Sequence, residues 1–183
     1  LAAAKDISGY VSLNYVGIPG WTFGGTYFTG KAGQGVQDFP AQNARATLWE
    51  GHVRWQPGPF DFAALYSRGT ISDTEALNLT FIGQPTPVPQ LFYGGYLQAA
   101  WKNIWTHNDY SLTAFTRYEW VNTAAAYASV PQGLGVDPSR TEQIWTVGAN
   151  FFVTPNIVFK ADYQQFRIDS SRNAFQLGFG LNF

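Results

Sequence analysis

From residue 175 to the end of the chain, apolar and polar positions alternate without a break. Phe175, Leu177, Phe179, Leu181 and Phe183 fall on one side, and Gln176, Gly178, Gly180 and Asn182 on the other. A period of two is the mark of a β-strand with one greasy face and one polar or small face. The greasy face needs a cover. In a water-soluble sheet a second sheet or an amphipathic helix supplies it, but no helical period is available elsewhere in the chain. The other strand-like segments repeat the alternation and place aromatic residues at their ends.

Composition enters here. Trp, Tyr and Phe make up 17% of the 183 residues and Asp, Glu, Lys and Arg only 13%, against roughly 25% charged in soluble domains. Mean hydropathy is nevertheless slightly negative, at -0.15. Many rings, few charges and middling hydropathy suit strands that are apolar only at alternate positions, as in a membrane-spanning β-barrel. No apolar run approaches the roughly 20 residues of a spanning helix. A net charge of -1 gives no electrostatic case for nucleic acid. The chain has no cysteine, hence no disulfide framework and no thiolate metal site. It has no methionine and no leader, which reads as a processed chain or an internal piece.

Alternation and turn residues predict nine strands near 6–16, 20–30, 44–56, 59–69, 92–103, 110–121, 141–153, 156–167 and 174–183. The links between them alternate in length. Gly17–Gly20, Pro57-Gly58, Trp105–Asp109 and Thr154-Pro155 are short; 31–43, 70–91 and 122–140 are long; 168–173 is intermediate. Pro and Gly preset turn dihedrals in the short links. Bacterial outer-membrane barrels have short periplasmic turns and longer outer loops, so the short links are assigned to the periplasmic side.

The rings sort by depth on this scheme. Tyr15, Trp21, Trp55, Phe60, Trp101, Phe151, Phe159 and Phe183 fall near the short turns. Tyr27, Trp49, Tyr66, Tyr93, Trp120, Trp145, Tyr163 and Phe175 fall near the long links. Between them comes an apolar band of mostly small and aliphatic residues such as Val53, Ala64, Leu97, Ala99 and Ala149, which also includes Phe23, Phe62 and Phe179. Two girdles around an apolar band are expected of a lipid-facing surface, where Trp and Tyr accommodate both an apolar body and a polar tip. The competing reading is a soluble β-sandwich with an aromatic core, which would not need rings sorted by depth. The opposite phase carries Glu50, His52, Arg54, Asp61, Gln98, Lys102, Arg117, Glu119, Asn150, Lys160, Asp162 and Gln164, assigned as pore-lining. A Lys or Arg facing lipid at mid-depth costs about 2–4 kcal/mol, whereas facing water it costs little.

Nine strands create a counting problem, because single-chain bacterial barrels have an even number with both ends periplasmic. Either further strands precede this stretch, or two parallel strands close the wall. Unpaired edges in hydrocarbon are not tolerated and a nine-stranded tube is narrow, which favours the first. The chain is then a single wall domain, 1–183, from the C-terminal part of a barrel of 16–18 strands.

The segments WQPGPFDFAALYSRGTISDTEALN, TVGANFFVTPNIVFKADYQ and FQLGFGLNF resemble the C-terminal part of the phosphate-selective porin O and P family. The hairpin TPN-hydrophobe-V-hydrophobe-KADYQ followed by a final aromatic strand is the most specific of them. The resemblance implies a 16-stranded, usually trimeric, anion-conducting porin of the bacterial outer membrane. It also implies that Lys160, Asp162 and Gln164 line the lumen. It carries over no phosphate site, because the family's basic constriction lies largely in the N-terminal half.

The leading expectation is a passive channel for small hydrophilic solutes, screened by size and by the field of lumen charges. Arg54, Lys102, Arg117 and Lys160 oppose Glu50, Asp61, Glu119 and Asp162, four against four. Three pairings are expected along single strands: Glu50 with Arg54 through His52, Arg117 with Glu119, and Lys160 with Asp162. They act as a neutralised brace or as a transverse field for anions. One alternative is a structural or partner-binding barrel in an envelope complex, with 70–91 as the contact. Another is a lipid-modifying enzyme, which needs a Ser–His–acid set. Only His52 and His107 exist, and no serine is placed by sequence beside either, so no enzyme activity, metal or cofactor is expected. The expected partners are outer-membrane lipid, small solutes or anions, and further copies of the chain in a trimer.

Overall fold

The computed structural model describes residues 6–33, 41–80, 87–128 and 139–182. Nine strands form one antiparallel sheet in chain order, each paired with the next. They are β1 (Gly9–Tyr15), β2 (Trp21–Lys31), β3 (Arg45–Trp55), β4 (Phe60–Ile71), β5 (Leu91–His107), β6 (Tyr110–Ala126), β7 (Glu142–Thr154), β8 (Ile157–Phe166) and β9 (Ala174–Leu181). All nine predicted strands are present. β1 and β9 are the two edges and do not pair with each other among the described residues, so the sheet is open.

Within each hairpin closed by a short link antiparallel pairing follows directly, because the link leaves no room for a crossover; across the long links the strands also pair with their sequence neighbours. The register is staggered. The row Tyr15–Phe23–Val53–Ala64–Leu97–Tyr118–Trp145–Gln165 begins beside the first short link and ends at the opposite end of β8. Stagger of this kind goes with strand tilt in curved sheets.

The predicted bounds fail most at the hairpin of β5 and β6. Each strand runs 17 residues, well past the predicted 92–103 and 110–121. The register between Trp101↔Ala114 and Trp105↔Leu112 shifts by two residues at a bulge, where Asn103 takes φ 54. Asn tolerates that left-handed conformation. The ladder therefore resumes beyond Lys102, and only Asn108 and Asp109 remain as the turn. Across the link predicted as a plain loop at 70–91, a short helix α1 (Thr74–Thr80) forms. Asn78 ties it down by accepting from the Val88 N–H and donating to the Val88 carbonyl, both at 2.9 Å. The 168–173 link holds one 3-10 turn, Ser170–Arg172, capped by the Asp169 side chain. Phe183, Pro85 and residues 1–5 lie outside the described residues.

Among the described residues the sheet has no second layer. Among the described residues the only buried hydrophobic side chains are Ala41, Ala44 and Phe166. The face carrying Trp49, Trp55, Leu97, Trp101, Trp145 and Tyr163 is open, with Leu97 54% exposed. On the last strand Phe175, Leu177, Phe179 and Leu181 are all exposed, Leu177 at 76%. Among the described residues no second sheet shares an aromatic core with this one. Monomeric soluble proteins rarely leave contiguous apolar patches larger than a few hundred Å² open.

Candidate functional site on the polar face

The rings of the aromatic face meet their neighbours across strands. Trp21 stacks on Phe23 and on Trp55 at 5.3 and 5.2 Å, Trp55 on Phe62 at 5.5 Å, and Phe60 meets Trp101 at 5.7 Å. Toward the long links Trp49 meets Tyr66 at 5.3 Å, Tyr66 meets Tyr93 at 6.5 Å, and Tyr118 meets both Trp120 and Trp145. Trp120 lies over Gly95, where any Cβ would collide with its ring. Tyr163 pairs with Val147 and Phe175 on the same face. The girdle residues Trp21, Trp49, Trp55, Tyr66, Trp101, Trp120, Trp145 and Tyr163 thus share one face, as alternation predicts. A hollow of about 540 Å³ on this face, floored by Ala64, Leu97 and Ala99 and walled by Trp55, Tyr118 and Trp145, is almost wholly apolar.

The polar groups gather on the other face in three clusters. In the first, Asp61 on β4 is only 5% exposed and is gripped from two sides. Arg54 on β3 donates from Nε to Oδ1 at 2.8 Å and from Nη2 to Oδ2 at 2.5 Å. Lys102 Nζ on β5 lies 3.2 Å from Oδ2, and Gln56 Nε2 donates to the same oxygen at 2.9 Å. A fork of two parallel N–H···O bonds is the strong form of this contact. One carboxylate thereby joins three strands.

In the second cluster Arg117 on β6 donates from Nε and Nη2 to Gln98 Oε1 at 2.9 and 2.6 Å. Its guanidinium lies 4.6 Å from the Tyr96 ring centre and 3.7 Å from Glu119 Oε1. Stacking on a ring and donating in plane suit a delocalised cation. In the third, His52 Nδ1 is 2.6 Å from Glu50 Oε1 and its Nε2 is 3.1 Å from Asn14 Oδ1. The ring crosses β2 to reach β1. It can do so because Gly24 lies beneath it, and any side chain there would strike both Asn14 and His52.

The expected pairings stand as follows. Arg117 does lie near Glu119. Arg54 turns to Asp61 instead of to Glu50 through His52, because Asp61 lies within bidentate reach on the next strand. Lys160 makes no ion pair with Asp162 among the described residues. Residues two apart on a strand share a face but lie far enough apart that a cross-strand partner competes. Asn150 pairs in register with Thr113 and Lys160, Asp162 with Gly148 and Gln176, and Gln176 Nε2 donates to Gln164 Oε1 at 3.3 Å.

A hollow of about 660 Å³ opens on this face over β3 to β8. Arg54, Lys102, Arg117 and Lys160 all line it, together with Gln98 and Asn150. Of the four carboxylates set against them by sequence, only Asp61 does; Glu50, Glu119 and Asp162 lie outside it. Asp109 from the β5–β6 turn adds a second carboxylate, so four cations face two carboxylates. The evenly balanced tally read from sequence is therefore locally unbalanced toward positive charge. Sequence reasoning missed Asp109, because it sits in a turn whose strands run longer than predicted. It also missed Tyr96, whose role depends on cross-strand register; Asn14 was placed on the polar face by phase, but its contact with His52 was not foreseen.

No protein-family profile matches the chain, and no solved structure matches it. Over 138 residues the chain is 30% identical to an uncharacterized protein of Aquifex aeolicus (strain VF5), a stretch that makes up 70% of this chain and 31% of that protein. The chain spans about a third of the length of that relative.

Proposed function

We propose that this sheet is part of the wall of a β-barrel in the bacterial outer membrane, and that the barrel is a water-filled porin for passive diffusion of small hydrophilic solutes. The observation that carries the reading is a single-layer sheet with an uncovered apolar face backed by a charged one. A bilayer covers such a face without a second protein layer, and water on the other side solvates the charges. The two unpaired sheet edges support closure by further strands, since an open edge in hydrocarbon leaves backbone groups unsatisfied. The relative's greater length is compatible with this. The resemblance to phosphate-selective porins O and P supports the same reading and adds a trimer to it.

Selectivity comes from the hollow lined by Arg54, Lys102, Arg117 and Lys160. Asp61 neutralises part of Arg54 and Lys102. Arg117 is held by Gln98 and the Tyr96 ring with Glu119 at the longer distance of 3.7 Å, and Lys160 is exposed. These two cations give the passage a preference for anions. The test is conductance of the full-length protein in a planar bilayer under a salt gradient. Ohmic channels with an anion-side reversal potential are expected. Arg117→Gln with Lys160→Gln moves that potential toward zero without closing the channel. Absence of channels overturns the porin reading, and an unchanged potential overturns the assignment of selectivity.

A further inference from the structure

The hollow on the polar face is lined by more than charge. Two phenyl rings, Phe115 on β6 and Phe152 on β7, stand in its wall beside the cations. Register sets them on either side of one polar row, in which Thr113, Asn150 and Lys160 lie directly opposite one another across β6, β7 and β8. Phe115 is two residues beyond Thr113 toward the long links, opposite Gly148; Phe152 is two residues beyond Asn150 toward the short turns, opposite Ser111. Each ring is therefore about 7 Å along the strands from the polar row. The Phe115 ring settles against β7 because residue 148 is Gly; a Cβ there would meet the ring at 2.7 Å. Both rings are only half-buried. Lys160 leans toward the row of Phe152, which continues through Val158 to Gly180. A Cβ at Gly178 would lie 3.5 Å from Lys160 Cβ, and one at Gly180 would lie 4.0 Å from its Cε.

We propose that this hollow binds aromatic monocarboxylates, a solute class that rests on the porin reading above and narrows it. A small inorganic anion would use the cations and leave the two rings in water. An aromatic acid uses both kinds of wall. Its carboxylate meets the Lys160 ammonium and the hydroxyl and amide of the polar row, and its ring reaches Phe115 or Phe152. Aromatic pairs gain attraction beyond the area they bury at centroid separations of about 4.5–7 Å, which matches the spacing of ring and row. The carboxylates of Asp61 and Asp109 in the same wall oppose a second negative charge on the solute. So does Asp162, opposite Gly148. Asp61 also holds Arg54 and Lys102, which leaves the single charge of a monocarboxylate to Lys160.

The test is equilibrium dialysis of radiolabelled benzoate against the full-length protein in detergent micelles, with unlabelled benzoate, acetate and inorganic phosphate as competitors. Benzoate is expected to compete about tenfold better than acetate, and phosphate to compete no better than acetate. Phe115→Leu combined with Phe152→Leu keeps apolar bulk but removes the stacking faces, and the benzoate-to-acetate ratio falls to about threefold. Lys160→Gln weakens both acids alike, by about fivefold. Acetate or phosphate competing as well as benzoate overturns the proposal. So does an unchanged ratio in the double variant, or wild-type benzoate binding by Lys160→Gln. Channel formation is followed separately in planar bilayers. Channels without a benzoate preference leave the porin reading standing and remove this inference; benzoate binding without channels leaves the acid site standing and overturns the porin reading.

Discussion

Leu97→Arg separates a lipid-covered face from a water-covered one. Leu97 sits on β5 midway between Tyr93 and Trp101, four residues from each. That is about 13 Å along the strand in each direction, or about 10 Å of depth at a tilt near 40°. The position is therefore the middle of the apolar band, and its 54% exposure shows that no protein group covers it. An Arg at a bilayer midplane costs about 2–4 kcal/mol. The same change on a water-covered surface stays within about 0.5 kcal/mol. Reversible urea unfolding of the full-length protein in phospholipid vesicles reads the difference. The account expects a fall of about 30- to 700-fold in the folding equilibrium constant, while Gln176→Arg, at an exposed position of the polar face opposite Asp162, stays near wild type. A Leu97→Arg protein as stable as Gln176→Arg refutes the reasoning.

Asp61→Ala leaves Arg54 and Lys102 without their shared carboxylate; both cations can rehydrate, so a loss of about 1–3 kcal/mol is expected in the same unfolding assay, with a reversal potential shifted further toward anions. Arg54→Lys keeps the charge but loses the fork to Asp61, and about 1 kcal/mol of stability with it. Gly24→Val drives His52 off Asn14 and costs about 1–3 kcal/mol through overpacking, read as a lower urea midpoint. Anion preference falls as salt rises from 0.1 to 1 M, because screening shortens from about 10 to about 3 Å; a reversal-potential series at a constant salt ratio checks it.

The strand count, the sheet order and the division of side chains between two faces were legible because each follows from a period of two and from Pro and Gly in short links. The β5–β6 hairpin was not, because its bulge depends on Asn103 adopting a left-handed conformation inside a strand. Helix α1 was hidden in a link whose seven helical residues are too few for a periodic signal. In the polar hollow the cations were found by phase and Arg117 does lie near Glu119, but the partners of Arg54 and Lys160 were misassigned. Phase says which face a side chain occupies, while register says which residue lies opposite.

The chain contains no cysteine, so single cysteines placed in turn at Tyr96, Leu97, Gln98 and Ala99 each carry one spin label in this stretch, with any cysteine elsewhere in the full-length protein replaced by serine. Collision rates with oxygen and with a water-soluble nickel chelate, measured after reconstitution into vesicles, then report the solvent on each face of β5. The account predicts oxygen-rich, nickel-poor values at positions 97 and 99 and the reverse at 96 and 98. Nickel reaching all four positions alike contradicts it.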